Sequence, residues 1–387
     1  MNFFLKYLRF FFNTKKIWGR PNKSKVLIYD GSGVDVLSKY FKKWNPEILY
    51  VRGESINLQI LFFSLLNGGK FYDSYVDEYI NFVSPDLIVT YTDNNLKFFS
   101  ISQRHKTIKT LFIQNGMRYY YGDIFYNLNS CDSNDLKNLT VDYMMTFGKS
   151  TKDYYHKYIS GSIVPMGSIK NNLVPKQSNF EGGLLTYLSQ YKAGRTIDGE
   201  YYDYEKYAGQ TVKTIIYFLR DYAESNKKKL MIIPRHSKKS DLRKEENDYY
   251  SKLLGYGVEF LDFDKDYSSY HAADLSEVMV SVDSTLAIES IARGNKVAIF
   301  SVRGDILGLK GFDYGWPANY PNDGPFWTNH CNLELFDKIL NYLFSVDEVQ
   351  WHNDLEKTNF SLIMEYYKGN SILIETVNKI LEKPQDN

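Results

Sequence analysis

The stretch Val278–Phe300, VMVSVDSTLAIESIARGNKVAIF, decides the fold. An apolar strand, Val278–Ser281, ends at Asp283-Ser284-Thr285. A helical run continues to Arg293, Gly294 closes it, and Lys296–Phe300 is again apolar. Strand, helix and strand in so short a span make a βαβ unit, and such units build parallel sheets covered by helices. Ser and Thr are favoured caps at a helix start, and Gly permits the left-handed residue that ends a helix. The free N–H groups at such a start, with the helix dipole, favour an anion. Ser284 and Thr285 add hydroxyl donors beside Asp283, which suits the phosphates of a nucleotide sugar. Glu289, about one turn further in, is placed to accept hydrogen bonds from vicinal ribose hydroxyls.

The same grammar extends in both directions. Leu184–Ser189 is a strand, Thr211–Ser225 a long helix, and Lys229–Pro234 a strand ending in Arg235 and His236. These two side chains face the same cleft and can neutralise phosphate charge. Val258–Leu261 reads as one more strand. In the first half Val26–Tyr29 runs into Asp30-Gly31-Ser32-Gly33, and Leu87–Tyr91 runs into Thr92-Asp93. Leu111–Gln114 runs into Asn115-Gly116-Met117-Arg118. Ligands of such sheets bind beyond the carboxyl ends of the strands, where Asp30, Asp93, Gln114 and Asn115 fall. Gln114, Asn115, Gly116 and Arg118 form a turn suited to a sugar or an anionic acceptor. The expected class is α/β, with two Rossmann-like doubly wound domains facing a cleft. The expected division is 1–24 as a basic amphipathic segment, 25–175 as the acceptor domain, 183–345 as the donor domain, and 346–387 as C-terminal helices and tail.

Length agrees with two domains, since one hydrophobic core stops growing at roughly 250–300 residues and the chain has 387. Lys plus Arg is 47 and Asp plus Glu is 46. This balance argues against a nucleic-acid binder, which carries a basic excess. Cys131 and Cys331 stand far apart, outside any CxxC pattern, and the six histidines lack metal-ligand spacing. A reducing cytoplasm without a disulfide framework or zinc site is therefore expected.

Residues 1–29 contain no acid. On a helix Lys6, Arg9, Asn13 and Lys16 share one stripe, with Phe4, Leu5, Leu8, Phe11 and Phe12 opposite. The apolar runs are too short to span a bilayer, which needs roughly 20 residues. Such a helix either lies on anionic lipid at the inner membrane surface, through residues 1–20, or packs on the protein's own second domain.

The pieces IQNGMR, DYMMTFG, VPMGSIKNN, LLTYLSQY, IPRH and VDSTLAIESIARG, in this order, resemble the GT-B glycosyltransferases of surface-carbohydrate (O-antigen, capsule) biosynthesis. The D-S-T-L-x-x-E-x-x-x-x-G piece is similar to the donor-nucleotide loop and helix of many GT-B enzymes and of non-hydrolysing sugar epimerases. The resemblance implies Ser284 and Thr285 on donor phosphate, Glu289 on ribose, and His236 with Arg235 near the donor. It implies a glycan or lipid-linked acceptor, and no cofactor or metal beyond the nucleotide-sugar substrate. The turn Gln114–Arg118 also resembles the E-D-G-x-x-R motif of bacterial β-Kdo transferases. Asn115 stands there in place of the functional Asp, and an amide cannot act as carboxylate nucleophile or base. For a base that deprotonates the acceptor hydroxyl, Asp30 and Asp93 are the candidates. The rival expectations are a sugar-nucleotide epimerase, a polyol-phosphate transferase and a non-catalytic scaffold of a polysaccharide assembly complex.

Overall fold

The computed structural model describes residues 14–67, 71–119, 124–130, 139–177, 179–197, 200–202 and 209–382. Its first half holds strands β1 (Lys15–Ile17), β2 (Val26–Tyr29), β3 (Glu47–Leu49), β4 (Ser55–Asn57), β5 (Leu87–Thr90), β6 (Lys109–Ile113), β7 (Thr140–Thr146) and β8 (Ser160–Pro165). Six of them form one parallel sheet in the order β3-β2-β5-β6-β7-β8, with Ile28 opposite Val89. β2 and β5 are buried along their whole length, as expected of unbroken apolar runs covered on both faces. Alternate residues serve opposite faces. Leu27, Tyr29, Ile88 and Phe112 pack toward helices Leu58–Leu66 and Phe71–Val83. Val26, Ile28, Val89 and Leu111 pack toward helix Val34–Phe41.

The second half holds β9 (Glu181–Leu188), the hairpin β10 (Arg195–Ile197) and β11 (Glu200–Tyr202), then β12 (Lys229–Ile233), β13 (Ser276–Ser281), β14 (Val297–Phe300) and β15 (Trp327–Thr328). Five make a second parallel sheet, β12-β9-β13-β14-β15. The connection reverses direction between β2 and β5 in one sheet, and between β9 and β13 in the other. Those reversals are where doubly wound sheets hold ligands. The α/β class with two Rossmann-like domains is what the structure shows.

The last helix does not stay with the second sheet. Leu373, Val377 and Leu381, spaced one turn apart on Ser371–Leu381, pack with Val26, Ile28 and Val36 of the first domain. The chain reaches them along a close backbone track. Glu365 N donates to Phe147 O at 2.9 Å, and Gly167 bridges Tyr366. Gly167 has φ 75, and a Cβ there would lie 2.0 Å from Glu365 O, so only glycine fits.

Two expectations need correction. Lys15–Ile17 is a strand paired with Ser55–Asn57, so Lys16 sits opposite Ile56 and not on a helical stripe; backbone pairing at that edge outweighs the side-chain pattern. The rest of the expected amphipathic helix, residues 1–13, lies outside the described residues. Val258–Leu261 meets β12 through a single bridge, Phe260 to Ile232, with bonds from Leu261 N and Ile232 N, and is no full strand.

Candidate functional site

Three strand ends of the second domain are tied together by side chains. Glu246, on helix Leu242–Leu254, is fully buried. Its carboxylate accepts from Arg235 N at 2.9 Å, from His236 N at 3.0 Å, and from the Ser189 hydroxyl. Three donors offset the burial of that charge and fix the turn after β12 against the end of β9. Gln190 Nε2 then donates to Asp283 Oδ1 at 2.5 Å, and Arg303 pairs with Asp283 Oδ2 at 3.2 Å. Asp283 thus braces the end of β13. The helix Thr285–Ala292 starts there, with Ser284 extended at ψ 138 and no side chain capping its first amides.

Beside this lies a groove of about 540 Å³ between Pro234–Lys239 and Leu261–Ser269. It is lined by four cations, Arg235, Lys238, Lys239 and Lys265, and three carboxylates, Asp262, Asp264 and Asp266. Asp262 is held by Lys238 at 3.2 Å and Arg243 at 3.0 Å. His236 reaches the groove with its ring edge-on to Tyr191, and among the described residues its buried Nε2 has no hydrogen-bond partner. The first domain closes one side, where Lys39 Nζ donates to Tyr267 OH at 2.9 Å.

On the facing wall, Asp93 is buried and accepts from Arg118 Nε at 2.9 Å, Arg118 Nη2 at 2.7 Å, and Tyr155 OH at 2.7 Å. Arg118 Nη2 also donates to Asn115 Oδ1 at 2.5 Å, which turns the amide N–H group of Asn115 away from the pair. Asp30 is buried too, at φ 83, a left-handed conformation that short Asp side chains tolerate through local bonds such as the one from Ser32 N at 3.0 Å. Its other oxygen accepts from Arg52 Nε at 2.6 Å and from the Thr92 hydroxyl at 3.3 Å.

The two walls touch through these same loops. Met117 N donates to Thr285 Oγ1 at 3.0 Å, and Tyr119 OH donates to Asp283 O at 2.6 Å. Gly116 brings the backbone close, since a Cβ there would stand 3.7 Å from Thr285 Oγ1. Deeper in the cleft, Glu289 accepts from the Ser168 hydroxyl and from Tyr270 OH at 2.7 Å. Burial raises the Glu289 carboxyl above its ordinary value, against the two hydrogen bonds that favour the charged form. Burial and the neighbouring Glu289 charge push the Tyr270 phenol well up.

The profile of a family described as "putative O-antigen biosynthesis protein" matches residues 111–381, well over half of the chain. The chain belongs to that family. Its match begins at β6 and so takes in Asn115, Arg118, His236 and the Thr285 helix together. No curated protein matches. Among solved structures, S. aureus MnaA with UDP is 12% identical at TM-score 0.51, covering 97% of this chain and 99% of that one. UDP-GlcNAc 2-epimerase from Neisseria meningitidis with UDP-GlcNAc is 11% identical at 0.50, covering 92% and 99%. The wall teichoic acid polymerase TagF with CDPG is 10% identical at 0.50, covering 94% and 90%. At these identities the likeness is one of fold, the two-domain arrangement expected from the sequence.

The structure gathers Asn115, Gly116, Arg118, Asp283, Ser284 and Thr285 at one meeting point of the walls, with Arg235 and His236 along the neighbouring groove. Other candidates are placed differently. Gln114 does not face the cleft: it is buried, its Nε2 donates to Gly116 O at 2.9 Å, and its Oε1 accepts from Phe147 N at 2.8 Å. It shapes the turn, with both amide atoms engaged by backbone. Glu289 is closed off by Ser168 and Tyr270, so the ribose contact expected of it is not open. Asp30 and Asp93 are held in ion pairs with Arg52 and Arg118. Sequence reading missed Glu246, Gln190, Arg303, Arg52 and Tyr155. Gln190 lies inside the quoted LLTYLSQY piece without being singled out, and no local pattern marks the other four.

Proposed function

We propose that the protein transfers a sugar from a nucleotide-sugar donor to a growing surface polysaccharide or lipid-linked acceptor. The observation that carries this reading is the bond from Met117 N to Thr285 Oγ1. It joins the turn after β6 to the helix start after β13, at the facing carboxyl ends of two parallel sheets. The donor lies on the second domain, its nucleotide in the groove between Pro234–Lys239 and Leu261–Ser269. Its diphosphate meets the helix start at Thr285, since Ser284 N already donates to Ser281 Oγ at 3.3 Å. The acceptor hydroxyl comes from the first-domain side, beside Asn115, and attacks the anomeric carbon as the C–O bond to the phosphate breaks, its proton passing to the released diphosphate. Arg235, Lys238 and Lys265, with His236 beside them, counter the charge growing on the leaving diphosphate, so no metal is invoked. Closed walls exclude water that would hydrolyse the donor. Asp93 acts through Arg118, orienting Asn115, and Asp30 anchors Arg52. The enzyme works at the inner face of the cytoplasmic membrane as a peripheral protein. Among the described residues no helix is long and apolar enough to cross a membrane.

The test is a thermal-shift panel of CMP, CDP, UDP, GDP and dTDP on wild type and on Arg235→Ala/His236→Ala. A ligand at 100 times its Kd stabilises by about 2.7 kcal/mol. One nucleotide raising Tm in wild type and not in the variant names the donor class. A flat response to all five sinks the donor site. The matching sugar nucleotide, incubated without acceptor, then separates a transferase, which leaves it intact, from an epimerase, which converts it.

A further inference from the structure

Helix Leu58–Leu66, LQILFFSLL, has an unusual outer face. Ile60, Leu61 and Ser64 are buried, with Ile60 and Leu61 packed toward Tyr75, Val76 and Ile80 of the following helix. The remaining surface of a surface helix ordinarily carries polar and charged residues. Here it carries Phe62 at 59% exposure, Phe63 at 42%, Leu65 at 59% and Leu66 at 66%. Trp18 adds 72%, the second highest exposure of any large apolar side chain described. It is adjacent: Ile17 pairs with Asn57, the residue capping this helix, and Asn57 Nδ2 donates to Gly19 O at 2.7 Å. Four large apolar residues in so short a stretch form a patch of the kind that marks a contact surface.

Charge indicates what covers it. No acid occurs from Met1 to Tyr29 or from Ser55 to Tyr72, whereas Lys15, Arg20 and Lys23 are exposed beside Trp18. Arg20 and Lys23 both lie over the Phe82 ring, at 5.9 and 5.1 Å. The acids nearby are Glu54, just before β4, Glu47, which accepts from Asn22 N at 3.2 Å, Asp73 in the first turn of the following helix, and Glu78, which accepts from Asn67 at 3.3 Å. An apolar face with aromatic residues, edged by cations, matches the boundary between acyl chains and anionic headgroups. A helix of nine residues is about 14 Å long, far short of a bilayer core, so it lies in the interface plane.

We propose that helix Leu58–Leu66 with Trp18 is the surface by which this protein inserts into the interface of an anionic lipid bilayer. The inference deepens the peripheral-membrane reading above, which rested on the first residues of the chain. It also fits the cleft. Arg52, on Asp30 at the acceptor wall, precedes Leu58 by six residues, a reach of at most about 22 Å. The docked face therefore holds the acceptor wall within that distance of the lipid surface.

The test is co-sedimentation of the full chain with vesicles of phosphatidylethanolamine and phosphatidylglycerol, against vesicles of phosphatidylcholine alone. Wild type is expected to bind the anionic vesicles, with a blue shift of tryptophan emission that Trp18→Phe removes. Phe62→Ser/Phe63→Ser/Leu66→Ser is expected to lower partitioning at least tenfold. Lys15→Gln/Arg20→Gln/Lys23→Gln is expected to weaken it and flatten its salt dependence. Unchanged binding by the serine variant overturns the proposal. So does a wild type that ignores vesicles, or one that is a dimer made monomeric by the serine variant, which would make the face a contact between copies. The nucleotide-induced Tm shift of the serine variant, expected to equal wild type, reports folding and the donor site separately. Lost lipid binding with a retained shift leaves the donor reading standing.

Discussion

Arg118 and Asp93 show how much one residue decides at this cleft. Asp93 has no exposed surface, and Arg118 supplies two of its hydrogen bonds while holding Asn115 with the same nitrogen. Removing one partner of a buried pair leaves an uncompensated charge and costs about 3–5 kcal/mol. Arg118→Ala is therefore expected to lower unfolding stability by that amount in urea titrations. Asp93→Asn/Arg118→Ala is expected to recover part of the loss, since it removes both charges. Glu289 gives a second prediction, in pH. Its folded carboxyl is raised above the ordinary value near 4.5, so the folded state binds a proton more tightly than the unfolded chain. Its contribution is fullest below the unfolded value and is lost as pH rises through the folded value. Wild type is expected to lose Tm across that interval relative to Glu289→Gln, whose profile is flatter. These roles were not legible in sequence. The DST helix start stands out because strand, cap and glycine follow one another locally. The partners Tyr155, Ser168 and Tyr270 are set by folding alone.

At the scale of elements, Glu246 is the pin between helix Leu242–Leu254 and two strand ends. Glu246→Ala strands two backbone amides and a hydroxyl, and hydrogen bonds to charged groups contribute about 1.5–3 kcal/mol each. The variant is expected to unfold at lower urea and to lose the nucleotide-induced Tm shift, because the turn at Arg235 and His236 is no longer fixed. Thr285→Val removes the acceptor for Met117 N. A net loss near 1 kcal/mol is expected, with a larger fall in transfer rate than in nucleotide affinity. Elements themselves were well read: β2 and β5 are short apolar runs with turn residues after them, and the apolar part of β9 from Leu184 stands out likewise, though its start at Glu181-Gly182-Gly183 does not. The segment Lys15–Ile17 was misread, because its conformation comes from pairing with β4 and the local pattern carries no trace of that partner.

For the whole molecule, the decisive link is the return of the chain to its first domain. Leu373 is fully buried beside Val26 and Ile28. Leu373→Ala is expected to cost about 2–5 kcal/mol, and the loss is expected to appear as earlier hydrogen exchange in β2 and β5, not in β9 or β13. The two-domain plan was legible from the recurring strand–turn–helix order. That return was not, because the amphipathic stripe of Ser371–Leu381 fits either sheet equally well.

That return also has a consequence in time. A ribosome releases the chain from its amino end, at about 5–20 residues per second. The first sheet is complete at Pro165, yet its last covering helix ends at Leu381. Between those points lie roughly 200 residues of translation, on the order of 10–40 seconds. Throughout that interval the nascent first domain lacks the cover that Leu373, Val377 and Leu381 add to Val26, Ile28 and Val36, while the second domain has all its described strands by Thr328. The domain made first is thus the one finished last, and a premature stop near the carboxyl end injures the opposite end of the protein.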